Sequence, residues 1–180
     1  MINLDKIAHK ITSNDPNVSF TVTPEITYTK KGDKEWRVNG KLHREDGPAI
    51  EFISGTKSWY INDKHHREDG PAMVFKDGSE IWYVNDEVHR EDGPALSYSD
   101  GYRAWYINGK MHNENGPAAI RKNGDKEWWI NNKRHREDGP AIEKANGKKL
   151  WYLNNSKIKY DPETWDQKVE ESHIENMMDE

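Results

Sequence analysis

A period of 23 residues runs through this chain without a slip, and it constrains the fold more than any other feature. Trp36, Trp59, Trp82, Trp105, Trp128 and Trp151 keep that spacing, and so do His43, His66, His89, His112 and His135. The segment HREDGPA stands at 43–49, 66–72, 89–95 and 135–141, with a changed copy, HNENGPA, at 112–118. A period between about 20 and 50 residues marks a repeat architecture, in which each unit buries its apolar face only against its neighbours. Two turn signals recur inside each unit: Asn-Gly, Asn-Asp or Asn-Asn (39–40, 62–63, 85–86, 108–109, 131–132, 154–155) and Ser-, Asp- or Asn-Gly (54–55, 77–78, 100–101, 123–124, 146–147). These residues tolerate positive φ, as tight hairpin turns demand.

The pattern predicts an all-β fold, an elongated single antiparallel sheet of stacked hairpins joined by nine-residue connectors such as NDKHHREDG. A tip at Ser54-Gly55 sets Ile50 opposite Trp59, Phe52 opposite Lys57 and Pro48 opposite Ile61. Directly opposed residues share a face, so the Trp side is aromatic and aliphatic. The other side is more polar, with Tyr60 over Ala49 and Glu51 beside Ser58. ITYTKKGDKEWRV is a degenerate first hairpin with Trp36 facing Thr27, and no helix is expected between 25 and 155. Three regions follow: 1–24, a capping helix (3–12, with Leu4, Ile7 and Ile11 on one side) and lead-in; 25–155, the repeat array; and 156–180, an acidic C-terminal helix. That last helix opens at Asp161-Pro162, an N-cap followed by a favoured first residue. Trp165, Val169 and Ile174 on it are expected at an interface.

Composition narrows the function classes. There is no cysteine, which excludes disulfides and thiolate metal sites. No apolar run approaches the roughly 18 residues of a membrane span, the start MINLDKIAHK is not a signal peptide, and a cytoplasmic protein is expected. Residues 161–180 carry eight acids and one base, while the rest is close to neutral, so no face is basic enough for duplex nucleic acid. The motifs G-x-x-x-x-G-K-[ST], H-E-x-x-H and G-x-S-x-G are absent from the sequence.

The His, Arg and carboxylates of the connector resemble catalytic machinery, yet an active site needs groups whose pKa values are pushed apart by unlike surroundings. Near-identical copies give near-identical surroundings. His66, His89, His112, His135, Glu68 and Glu91 are therefore expected, with Trp59, Trp82, Trp105 and Trp128, to form a structural ladder. In it each Arg bridges to a carboxylate of the next connector. At 113 and 115 both Arg and Asp are replaced by Asn, as a partnered pair allows. Histidines one unit apart lie roughly 10 Å from one another at about 4.8 Å per strand, too far to share a metal, and no cofactor is expected. The more polar face offers a candidate binding strip, Tyr60, Tyr83, Tyr106, Trp129 and Tyr152, with Arg67 and Arg90 beside it for a nucleotide's phosphates. The Trp face, covered only in part by caps, is expected to associate with a partner or with a second copy.

The hairpin unit with aromatic strands and a Gly-containing connector resembles the MORN repeat, in the variant class of bacterial, phage and giant-virus proteins. The resemblance covers residues 25–155, and the HREDGPA wording is similar to the viral and phage members. A Trp-Tyr-Ile-Asn strand and Gly-Pro stand where ordinary MORN units carry Tyr-x-Gly and Gly-x-Gly, so lipid binding does not carry over. The resemblance implies a non-enzymatic binding protein of the host cytoplasm, a counter-defence or host-interaction factor that masks a host protein or its signal molecule. Alternatives are a sponge for a small nucleotide second messenger and a structural or virion-associated scaffold.

Overall fold

The computed structural model describes residues 23–178, so the helix expected over 3–12 lies outside the described residues. The strands form one 14-stranded antiparallel sheet, accompanied by four two-stranded sheets. The helix present among the described residues is α1, Trp165–Met178. As the turn spacing predicts, no helix interrupts 25–155.

Each unit is two hairpins sharing a strand. In the second unit Lys57–Ser58 pairs backward with Ile50–Glu51 and forward with Met73–Val74, while Tyr60–Ile61 pairs with Lys64–His65. Trp59 sits between the two halves; its N–H donates to the Ala72 carbonyl (2.8 Å) and its carbonyl accepts from His66 N–H (3.2 Å). The connector thus leaves the sheet at His66 and rejoins it at Ala72. The upper hairpins bond to one another as well, Arg67 N–H to the Tyr83 carbonyl (3.1 Å) and Asp86 N–H to the His65 carbonyl (2.9 Å).

The Asn turns are two-residue turns with both residues at positive φ (Asn62 53°, Asp63 67°), the type I′ geometry that matches strand twist. The glycine tips differ from expectation. Phe52 N–H donates to the Thr56 carbonyl and Gly55 N–H to Phe52, so the loop is three residues, 53–55, closed by Gly55 at φ 91°. The register therefore moves by one residue: Ile50 pairs with Ser58 rather than Trp59, Glu51 with Lys57, and Trp36 with Ile26 rather than Thr27. Because side chains alternate along a strand, a one-residue shift changes which residues share a face.

The corrected faces have clear roles. One row runs Glu35, Ile50, Ser58, Met73, Ile81, Leu96, Ala104, Ala119, Glu127, Ile142 and Leu150, alternating between adjacent strands. Ser58 and Ala104 at 0% exposure fit beside Ile50 and Leu96, and this row with the Tyr residues is the core face. The opposite row, beside the Trp residues, is charge-alternating for much of its length: Lys34, Glu51 and Lys57 at one end, Lys126, Glu143 and Lys149 at the other. Ala49, Ala72, Ala95, Ala118 and Ala141, fully buried, lie next to the Trp residues and not under Tyr.

The array runs to Ile158, since Ser156–Ile158 pairs with Lys149–Leu153. The helix starts later than Asp161-Pro162 suggests. Asp161 Oδ1 accepts from Glu163 N–H (3.0 Å) in a local turn, and helical residues begin at Trp165. Tyr160 stacks on Trp151 (centroids 4.6 Å) and Trp165 packs against Tyr160 (5.7 Å), which caps the last unit.

Candidate functional site

In four connectors the Arg bends back over its own unit. Arg67 Nε donates to Asp69 (2.8 Å), Nη1 to the Pro71 carbonyl (3.4 Å), and the guanidinium lies 4.4 Å from the centre of Trp59. Arg44 over Trp36 (4.2 Å), Arg90 over Trp82 (3.9 Å) and Arg136 over Trp128 (4.0 Å) repeat it. The Arg partner is thus the Asp two residues on, not a carboxylate of the next connector. That bond holds the exposed carboxyls of Asp46, Asp69, Asp92 and Asp138 below the ordinary aspartate value. The connector glycine is a close-approach residue: a Cβ at Gly70 would stand 2.6 Å from Arg67 Cζ.

The link between units comes from His. His66 Nδ1 lies 3.3 Å from Asn85 N–H and 3.1 Å from Asn85 Oδ1, so either tautomer bonds the Asn of the next unit, and Nε2 lies 3.7 Å from Glu68. His43, His89, His112 and His135 take the equivalent bond from Asn62, Asn108, Asn131 and Asn154. Glu91, 3.8 Å from His89, is mostly exposed, so the Glu end of this pairing adds little. Among the described residues no group of three or more His, Asp or Glu is placed to hold a metal ion.

The fourth connector departs from this scheme. Asn113 Nδ2 donates to the Pro117 carbonyl (3.0 Å) and Asn113 Oδ1 accepts from Asn115 N–H (3.0 Å), which satisfies the backbone with a shorter side chain. Among the described residues no cation lies over Trp105. A Cβ at Gly116 would meet only Asn113 Nδ2, at 3.7 Å.

A cleft of about 690 Å³ opens on this connector. Asn113–Gly116 form one wall and 135–138 the other, Trp128 and Ile130 supply apolar surface, and His173 and Asn176 of α1 close one side. The helix is held there by Trp165 Nε1 donating to the Glu137 carbonyl (2.6 Å) and by Asn154 Nδ2 donating to Ser172 (3.2 Å). Glu137 Oε1 lies 2.7 Å from His173 Nε2 and 2.9 Å from His135 Nε2. The His173 bond, ahead of the His135 bond, draws the Glu137 carboxyl below the usual glutamate value.

The Tyr strip is a packed row. His65 sits between Tyr60 (4.1 Å) and Tyr83 (5.0 Å), and the Arg134 guanidinium between Trp129 (4.5 Å) and Tyr152 (5.8 Å). Tyr106 pairs with Met111. Burial raises the hydroxyl pKa of Tyr60, Tyr83 and Tyr106. Beneath Arg134 lies a buried carboxylate, Glu127, held by Arg121 at 2.8 Å. Arg67 and Arg90 stack on Trp59 and Trp82, on the face opposite the Tyr row, so the expected strip of Tyr and Arg is not brought together. The expected interface residue Trp165 is 7% exposed and packs within the chain, Val169 is half-buried, and Ile174 is 54% exposed.

Sequence reasoning flagged the paired change at 113 and 115 but not the cleft. Its far wall comes from α1, whose docking position no repeat spacing encodes. No helix of the described residues is long and apolar enough to cross a membrane. No protein-family model matches the chain, and no curated protein matches it.

Proposed function

We propose that this chain is a non-enzymatic binding protein, a MORN-like repeat scaffold that presents one recognition site, the cleft between its fourth and fifth connectors. The observation that supports this is the coincidence of the cleft with the one connector whose Arg and Asp are both replaced. In the other connectors Arg is committed to Asp, a carbonyl and Trp, and in all five His is committed to Asn, so these repeated groups act as internal struts. The resemblance carries the finer form of the reading, a phage or viral factor that masks a host protein in the host cytoplasm. A nucleotide sponge is the weaker form. The cleft sets the carboxylates of Glu114, Glu137 and Asp138 against one guanidinium, Arg136, already bonded to Asp138 and Glu143, a poor setting for phosphate.

The test is capture from cell extract by the native chain, by Asn176→Trp, which fills the cleft, and by Tyr106→Gln on the other face. Loss of the captured partner with Asn176→Trp alone is the expected result; loss with Tyr106→Gln alone overturns the assignment. A second reading, self-association through the outer side of α1, is favoured by Ile174, Met177 and Met178 at 54%, 71% and 82% exposure. Light scattering of the native chain and of Ile174→Asp at micromolar concentration separates the two.

A further inference from the structure

Trp105 of the fourth unit lacks the guanidinium that covers its counterparts, and we infer that an arginine side chain of a binding partner takes that place. This inference rests on the cleft being the recognition site and names the chemistry of what binds at its Asn113–Gly116 wall. Four units show what a Trp of this array is packed against: a guanidinium 3.9–4.4 Å from its ring centre, pressed on the connector glycine closely enough that a Cβ would stand 2.6–3.0 Å from Cζ. Trp151, in the last unit, is covered by the ring of Tyr160 instead. Trp105, half-buried like Trp59, Trp82 and Trp128, has neither a guanidinium nor a stacked ring over it among the described residues, and a Cβ at Gly116 would meet the Asn113 amide at 3.7 Å.

The elements that make the slot in the other units remain in place here. The Pro117 carbonyl has a second lone pair beyond the one taken by Asn113. His112 still accepts from Asn131 and holds the connector in the register of its neighbours. What left with Arg was its counter-charge, since Asn115 stands where the other connectors carry Asp. The counter-charge for an incoming arginine comes from Glu114 at the rim of the adjoining cleft, 76% exposed and 3.4 Å from His112. Across the cleft Glu137 is already bonded to His173 and His135, and Asp138 to Arg136. A guanidinium suits this site better than an ammonium because it is planar, stacks on an indole and is weakly hydrated. Trp128 and Ile130 then give the rest of the partner segment an apolar floor.

The experiment follows the indole ¹⁵N–¹H signals of Trp105 and Trp128 while the full chain is titrated with arginine amide, lysine amide and citrulline amide. Arginine amide should shift Trp105 saturably, lysine amide several-fold less, and citrulline amide, the uncharged isostere, not at all. The double change Asn113→Arg with Asn115→Asp rebuilds the internal guanidinium. It should raise the melting temperature and abolish the Trp105 response. An equal response to citrulline amide, or one that survives in the rebuilt chain, overturns the inference. If Asn176→Trp abolishes partner capture while arginine amide leaves Trp105 unmoved, the cleft stands as the recognition site and the arginine slot does not.

Discussion

The second and fourth units have equivalent strands, turns and His–Asn links, and within the HREDGPA segment they differ in two side chains, Arg67 against Asn113 and Asp69 against Asn115. In the second, Arg67 ties Asp69, the Pro71 carbonyl, Gly70 and Trp59 into one packed body. In the fourth, Asn113 keeps the carbonyl bond and gives up the ring and the carboxylate. Both connectors hold their place in the array, so the guanidinium is not what fixes the connector path. Backbone bonds and His do that, Arg67 N–H to Tyr83 in one case and Asn113 N–H to Trp129 in the other. The Arg adds packing over an indole. Removing it at one position leaves the scaffold intact and makes that position different from the rest.

The comparison can be broken at the Trp itself. Trp82→Ala should cost about 3 kcal/mol, the low end for a large aromatic because the ring is half-buried. Trp105→Ala should cost less by roughly 0.5–1 kcal/mol, the value of the missing cation–π contact. Urea unfolding of both variants measures the difference, and equal losses would mean that the guanidinium contributes nothing to the array. The glycines give the next effect. Gly70→Ala drives Arg67 off Trp59, since the new methyl would stand 2.6 Å from Cζ, and should cost about 1–2 kcal/mol in stacking and hydrogen bonding. Gly116→Ala, whose new methyl would meet Asn113 Nδ2 at an ordinary contact distance of 3.7 Å, should stay within about 0.5 kcal/mol of the native chain. Neither glycine needs positive φ, so strain does not enter the comparison.

How far the sequence specified these regions depends on whether a feature repeats. The period, the six Asn turns, the antiparallel hairpins and the absence of helix between 25 and 155 all follow from residues that recur. The tip loops misled because Ser54-Gly55 has the composition of a two-residue turn, while Ile53, the third loop residue, continues the apolar strand pattern. That single residue moved Ile50 from the Trp side to the Tyr side. The Arg–Asp pairing was legible as a pairing, from the joint change at 113 and 115, but not its direction, because one connector and its neighbour carry the same charges. The site was legible only in half. Its repeat-derived wall is marked by the altered connector, whereas the wall from α1 depends on the Trp165–Glu137 and Asn154–Ser172 bonds, which join parts of the chain that no periodicity relates.

A smaller effect is expected from the link both units share. His89→Ala removes the acceptor for Asn108 N–H and should cost about 1 kcal/mol, the net value of one hydrogen bond. His112→Ala should cost the same, since its bond to Asn131 N–H is equivalent. Stability curves for the two variants should superimpose. A much larger loss at His112 would show that the connector without Arg leans on His to hold its path.

The last contrast lies between Glu68, 3.7 Å from its own His66, and Glu137, which gains His173 of α1 at 2.7 Å. Hydrogen bonding by His173 and then His135 lowers the Glu137 pKa from 4.5. A carboxyl whose folded pKa is depressed contributes fully above its unfolded value, and the contribution fades as pH falls through the folded value. Docking of α1 should therefore persist down through the ordinary glutamate range and weaken only below it. Trp165 and Asn154 still tether the helix there, so the loss is local and the array stays folded. Amide exchange across α1 as a function of pH measures it, with Glu137→Gln as the reference. That variant should show faster exchange than the native chain and lose the acid step. Release of α1 well above the ordinary glutamate range, or the same acid step in Glu137→Gln, would assign the docking to the tethers alone and leave the far wall of the cleft independent of the His–Glu cluster.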